Sequence, residues 1–215
     1  MTKSVPTLRY ERRFARRGLP LVAGLDEVGR GAWAGPVVAA AVILPLDQPR
    51  LARALRGVTD SKQLTARQRE RLCGVIAAAA VAIGVGGAGP GEVDRDGLTA
   101  ATHAAMQRAV AMLRPAPDAL LIDAVDLSAV VPLPQAAVLF GDARCLSIAA
   151  ASILAKVSRD RWMAGLDQRC PGYAFARHKG YGTAAHRAAL AALGPCEAHR
   201  RSFAPLQALA SAAGG

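Results

Sequence analysis

Leu19-Pro20-Leu21-Val22-Ala23-Gly24-Leu25-Asp26-Glu27, followed after a short interval by Gly35-Pro36-Val37-Val38-Ala39-Ala40-Ala41-Val42-Ile43-Leu44, is the stretch on which the fold turns. Residues 19–25 and 37–44 are apolar runs of strand length, bounded by Asp-Glu, Gly-Pro and Pro45. The Gly-rich connection between them is short, so the two predict adjacent antiparallel strands.

Further along, Thr65 is a good N-cap for a helix over residues 65–79, in which Leu64, Leu72, Val75 and Ile76 share an inward face. Residues 81–85 predict a third strand before a Gly-rich turn over 86–91. A helix over 92–113 is stopped by Pro115 and Pro117. Residues 119–125 and 137–140 predict two more strands, 147–168 a long helix and 183–193 a last one. In the long helix Ala149, Ala150, Ala151 and Ser152 allow close packing on a sheet. Strands interleaved with helices in this order predict a mixed α/β sheet flanked by helices, with a helical C-terminal portion from about residue 164. The expected organisation is a basic arm (1–18), solvated or, as the lesser alternative, touching nucleic acid, one catalytic domain (19–205) and a flexible tail (206–215) of small apolar residues.

With 27 Lys and Arg against 16 Asp and Glu, the net charge is +11, which favours a polyanionic partner, nucleic acid above all. The cysteines, at positions 73, 145, 170 and 196, have no CxxC spacing, so free thiols in a reducing cytoplasm are expected, Cys145 and Cys170 as core fillers. Residues 72–91 carry too much Ala and Gly for a membrane span. The apolar run after the basic arm is too short for a signal peptide. A soluble, cytoplasmic monomer is expected.

Carboxylates stand where a core strand should exclude them. Asp26 and Glu27 end the first strand, Asp123 lies in Leu120-Leu121-Ile122-Asp123-Ala124-Val125, and Asp142 precedes the long helix. Buried charge is costly unless paired or bound to a cation. Singly, Asp142 fits a helix N-cap equally well, Asp123 an Arg pair, and Asp26-Glu27 a turn. Together, in a basic chain, they fit oxygen ligation of divalent metal. Two such ions about 4 Å apart serve in-line phosphodiester cleavage.

Gly24-Leu25-Asp26-Glu27-Val28-Gly29-Arg30-Gly31 with Ala34-Gly35-Pro36-Val37-Val38 resembles the signature of the ribonuclease HII family. Asp60-Ser61-Lys62-Gln63-Leu64, the Asp123 strand, Gly141-Asp142 with the segment 147–161, and His178-Lys179-Gly180-Tyr181-Gly182-Thr183 match the same family in the same order. The resemblance runs from about residue 21 to 203. It implies a ribonuclease H-like fold and cleavage of the RNA strand of RNA/DNA hybrids. It also implies cutting 5′ of single ribonucleotides in duplex DNA, with 3′-hydroxyl and 5′-phosphate ends. Asp26, Glu27, Asp123 and Asp142 would be the catalytic acids holding Mg²⁺ or Mn²⁺ in a two-metal site. Gly29, Arg30 and Gly31 would read the ribose 2′-hydroxyl, Ser61 and Lys62 would contact phosphate, and Tyr181 would pack on the deoxyribose beyond the cut. Lys156, Arg159 and Arg161 all lie on the long helix, and the sequence does not decide which face substrate. His178, His186 and His199 are expected to be structural. Ala124 departs from the glycine frequent in the family, and Gly97 from its asparagine. A replication clamp is a partner that the sequence neither supports nor excludes, and residues 206–215 show no convincing partner motif.

Three other readings compete. A resolvase- or integrase-like nuclease would use the same acids without the Gly-Arg-Gly motif. Ribonuclease HIII usually has an extra N-terminal domain, whereas about twenty residues precede the first strand here. A non-catalytic basic binding module explains the charge but not four acids facing a polyanion.

Overall fold

The structure, a computed structural model, describes residues 5–213. Strand β1 (Val22–Val28) pairs antiparallel with β2 (Val37–Ile43), and β2 with β3 (Ala82–Ala88). On the other side of β1, β4 (Ala119–Asp123) and β5 (Gln135–Val138) add in parallel, giving the order β3-β2-β1-β4-β5. The helices in chain order are α1 (Arg9–Ala15), α2 (Leu51–Ala54), α3 (Ala66–Ala79), α4 (Pro90–Asp96), α5 (Leu98–Ala111), α6 (Leu146–Arg169), α7 (Phe175–His178), α8 (Ala184–Leu193) and α9 (Ala204–Ala213). This is the expected mixed sheet flanked by helices.

Strand alternation explains the two-sided core. Ala23, Leu25, Ala39, Ala41 and Ile43 pack with Leu120 and Ile122 against Ala101, Ala105, Met106 and Ala109 of α5. Ala40 and Val42 face the Ala149–Ala151 segment of α6 and Leu72 and Ile76 of α3. Thr65 caps α3 in a full capping box with Gln68, as the sequence predicts.

Several boundaries move for physical reasons. Gly86, expected in a turn, lies within β3, because a Cβ there would overlap the backbone of α5 at Ala105 and Ala109. The helix expected over 92–113 is two helices, broken at Gly97, where φ is +83°. The N-terminal arm is not simply solvated. Its residues from Thr7 onward dock, with Glu11 and Phe14 buried and Thr7 bridged to Cys145. The tail, expected to be flexible, is helical to Ala213 with Leu206 buried. Residues 1–4 of the arm and 214–215 of the tail lie outside the described residues. All four cysteines are free, and Cys145 and Cys170 are buried. Among the described residues no helix is long and apolar enough to cross a membrane.

Candidate active site

Three of the four acids named from the sequence converge. In the β1–β4 ladder Leu25 pairs with Ile122, which sets Asp26 beside Asp123 at the strand ends and on the face that α6 covers. Asp142 arrives from a 3-10 turn, Gly141–Ala143, between β5 and α6. The Gly141 amide donates to Asp123 Oδ1 at 2.8 Å and so pins that turn to β4. One carboxylate oxygen from each of Asp26, Asp123 and Asp142 lies within 4.8 Å of the others. Asp142 does not cap α6, whose N-cap is Cys145. The simple-cap reading of Asp142 is therefore corrected.

Glu27 stands apart from this trio. Adjacent strand residues point to opposite faces, so Glu27 leaves the α6 face that Asp26 occupies. One of its oxygens meets the Arg30 guanidinium at a long 3.5 Å, and the other is buried with no hydrogen-bond partner.

Packing like charges out of water makes each ionised form costly. Burial pushes the Asp26 carboxyl well above the usual carboxylate range, and the charges of Glu27 and Asp123 add to that. Burial also raises Glu27, partly offset by Arg30. Asp142 is pushed up to about 6 by burial and then by Asp60 and Asp123, with Lys62 opposing. For Lys62, burial alone would favour the neutral amine, but Asp142, Asp60, Asp26 and Asp123 outweigh it and raise its pKa. The donors are hard oxygens, crowded and under-neutralised, and one buried oxygen of Glu27 is orphaned. That set fits a divalent cation.

The loop after β1 is held from inside by two buried arginines. Arg159 of α6 donates to Pro36 O, Lys179 O and Ala34 O at 2.9, 2.9 and 3.1 Å, and its guanidinium stacks over the Tyr181 ring. Arg200 donates to Gly35 O and Arg30 O. Burial lowers the pKa of both, that of Arg200 to about 10. A Cβ on Gly29, where φ is +92°, would overlap the Arg159 side chain, whereas one on Gly31 would meet nothing within 4 Å. Gly29 thus serves internal packing, while Gly31 and Arg30 are exposed.

The remaining candidates fall into place around this frame. Ser61 is buried and its hydroxyl accepts from Ser152 of α6, whereas the Lys62 side chain is 83% exposed, with Nζ 4.0 Å from Asp142. Of the α6 cations, Arg159 is internal, Arg161 pairs with Glu70, and Lys156 with Asp160. His178, His186 and His199 are buried, with His178 stacked on His186 and the three meeting Tyr173 and Phe175 in tilted or edge-on contacts, and burial lowers His199 to about 4. Sequence reasoning missed Asp60, which faces Asp142, and Ser152, whose hydroxyl offsets part of the rise in the Asp26 pKa. It also missed Arg200. Asp60 and Ser152 stood inside quoted motifs, while Arg200 had no local signal.

Comparison with known proteins gives the family and the fold. The family model described as Ribonuclease HII matches residues 23–206. A ribonuclease HII of Chloroflexus aurantiacus is 53% identical over 202 residues, 94% of this chain and 95% of that protein. The crystal structure of ribonuclease H2 from Pyrococcus horikoshii superposes with a TM-score of 0.73 at 27% identity, covering 89% of this chain and 97% of that one. The RNase HII of the Archaeoglobus fulgidus PCNA:RNase HII complex gives 0.72 at 26% identity, covering 85% and 95%.

Proposed function

Because the chain belongs to the ribonuclease HII family, whose members are metal-dependent hydrolytic ribonucleases, we propose that it cuts the RNA strand of RNA/DNA hybrids. It also cuts on the 5′ side of single ribonucleotides embedded in duplex DNA, leaving 3′-hydroxyl and 5′-phosphate ends. The observation that carries this reading is the convergence of Asp26, Asp123 and Asp142 within 4.8 Å, next to a loop with exposed, sterically open Gly31.

Asp26, Asp123 and Asp142 would hold Mg²⁺ or Mn²⁺, with Glu27 as a further ligand through its orphaned oxygen. When bound, a pair of such ions supplies Lewis-acid activation of water and neutralises charge at the departing 3′ oxygen. The protein's own groups select and orient the substrate. At Gly31 the backbone has room to approach a 2′-hydroxyl, which both donates and accepts and so distinguishes ribose from deoxyribose. Arg30 and Lys62 present exposed cations for the phosphates flanking the cut, and Ser61, tied to Ser152, fixes the Lys62 turn. Tyr181, backed by Arg159, offers a flat platform to the neighbouring sugar. The C-terminal helices α7 and α8, whose connecting loop carries Tyr181, form a wall beside the duplex. Free thiols throughout accord with a cytoplasmic enzyme, and one chain supplies every group named.

The test is cleavage of a DNA duplex carrying one ribonucleotide, with all-DNA duplex as control, in Mg²⁺, Mn²⁺ or chelator. Metal-dependent cutting 5′ of the ribonucleotide alone is expected. Cutting of both duplexes would refute the 2′-hydroxyl reading, and no cutting in any metal would refute the enzyme.

A further inference from the structure

The N-terminal segment forms a surface that the proposed mechanism does not use. Helix α1 carries Arg9, Arg12 and Arg13, and Arg16 and Arg17 follow it in the turn, all exposed, while the helix's one acid, Glu11, turns inward. The Glu11 carboxylate accepts from the Ser147 amide at 2.8 Å and from Cys145 Sγ at 3.1 Å, and so fastens α1 to the start of α6. Thr7 reinforces the join: its amide donates to Arg144 O, and its carbonyl accepts from the Leu146 amide. These bonds set α1 directly against the segment that follows Asp142.

The consequence is a basic cleft of about 460 Å³ lined by Arg9, Tyr10, Arg13, Arg16 and Arg144. Arg9, Arg13 and Arg16 lie at helical spacings of four and three, which puts them on one stripe. Arg144 comes from across the cleft, its guanidinium stacked on Tyr10 and bonded to Leu139 O. Among the described residues no carboxylate lines the cleft, and none of Arg9, Arg12, Arg13, Arg16, Arg17 and Arg144 has an ion-pair partner. Like charges held together without acids repel one another, and a polyanion relieves that repulsion. Arg144 is two residues from Asp142, so at most about 7 Å of chain separates cleft and site.

We propose that this cleft is a second docking surface for the phosphate backbone of the duplex, adjacent to the acidic site and reached through Arg144. This rests on the nucleic-acid reading given above and extends the footprint beyond Arg30, Lys62 and Tyr181. Guanidiniums on a helix stripe contact phosphates without reading bases, so the cleft adds affinity and salt dependence but no sequence preference.

The experiment is metal-free binding, by fluorescence anisotropy, of a ribonucleotide-containing duplex of about 24 base pairs between about 50 and 200 mM salt. The variants are Arg9→Gln/Arg13→Gln/Arg144→Gln and the milder Arg9→Gln/Arg13→Gln, which keeps the Arg144–Tyr10 stack should the triple variant fold poorly. A charge-matched control is Arg95→Gln/Arg108→Gln/Arg114→Gln. Each lost phosphate contact lowers the slope of log Kd against log salt by about 0.9. The triple variant is therefore expected to lose about 2 to 3 units of slope, the double variant close to 2, with binding at low salt weakened at least about tenfold. Slopes equal to the control's would overturn the cleft while leaving the enzyme reading intact. A wild-type protein with no duplex affinity would overturn both. Retained duplex binding with selective loss of binding to polyglutamate would assign the cleft to an acidic protein and refute the proposal.

Discussion

Exchanging Arg159 for lysine keeps the charge and most of the apolar stem but removes the fork. Arg159 is fully buried and spends its three nitrogens on three carbonyls, those of Pro36, Lys179 and Ala34. A lysine nitrogen is a single point and lacks the planar spread of a guanidinium, so it satisfies one of the three. Two carbonyls then lose their donor, and a buried unsatisfied acceptor costs about 1–3 kcal/mol. The expected destabilisation is about 4 kcal/mol, a large part of a stability of about 5–15 kcal/mol. For a chain of this size each kcal/mol moves the melting temperature by about 2–4 °C, so Arg159→Lys should melt about 8–16 °C below wild type. Thermal unfolding followed by circular dichroism, with metal chelated, measures this directly. A shift smaller than about 3 °C would show that the three carbonyls find other partners, and the arginine would not be what holds the β1–β2 loop to the Lys179 turn.

Four further outcomes follow from the same geometry. Asp26→Asn relieves like-charge crowding while keeping the oxygen that accepts from the Glu27 amide. It should raise the metal-free melting temperature by about 2–4 °C and abolish both the Mg²⁺-induced shift in thermal scans and duplex cleavage. Asp142, raised to about 6 from an ordinary 3.8, contributes stability that is fully present below about pH 3.8 and lost as pH rises through 6. Melting temperature of chelated protein should therefore show a fall across that window that Asp142→Asn removes, and metal affinity should weaken below pH 6 in calorimetric titration. Ala124 is exposed and held at φ +52°, so Ala124→Gly loses no packing and should stabilise by about 0.5–1 kcal/mol in urea titration. An unchanged or lower midpoint would refute the strain. Gly31→Ala should melt within about 2 °C of wild type yet slow ribonucleotide-directed cleavage at least about tenfold, as one misplaced contact in a positioned site does. Full activity would remove Gly31 from substrate reading.

Much of the sheet was legible because its apolar runs are short, β-branched or Ala-rich and cleanly punctuated. Residues 37–44 anticipate β2 to within one residue, and Thr65 announces the start of α3. What escaped depends on contacts distant in sequence. Arg9 to Arg17 read as a solvated arm because nothing local shows that Glu11 will be buried against Ser147, 136 positions away. Gly86 reads as a turn until α5 is seen crossing β3, and only then does a strand glycine make sense as clearance for a helix backbone.

The candidate site shows the same division between local pattern and long-range packing. Acids on apolar strands are locally anomalous, so the sequence singles out all four, but the grouping of Asp26, Asp123 and Asp142 is a property of the sheet. Strand alternation, applied to the Asp26-Glu27 pair, separates the two onto opposite faces, and it is the parallel register with β4 that supplies Asp123 in place of Glu27. The Gly-Arg-Gly segment divides in a comparable way. Gly29 is required by the fold, since Arg159 occupies the space its side chain would fill, whereas nothing inside the protein requires Gly31 to be bare. A constraint that the chain does not impose on itself points outward, and Gly31 lies on the loop that follows directly from the strand carrying Asp26 and Glu27. The buried arginines therefore do more than stabilise: by taking up the Arg30, Ala34, Gly35 and Pro36 carbonyls from behind, they hold that loop in place with Gly31 exposed.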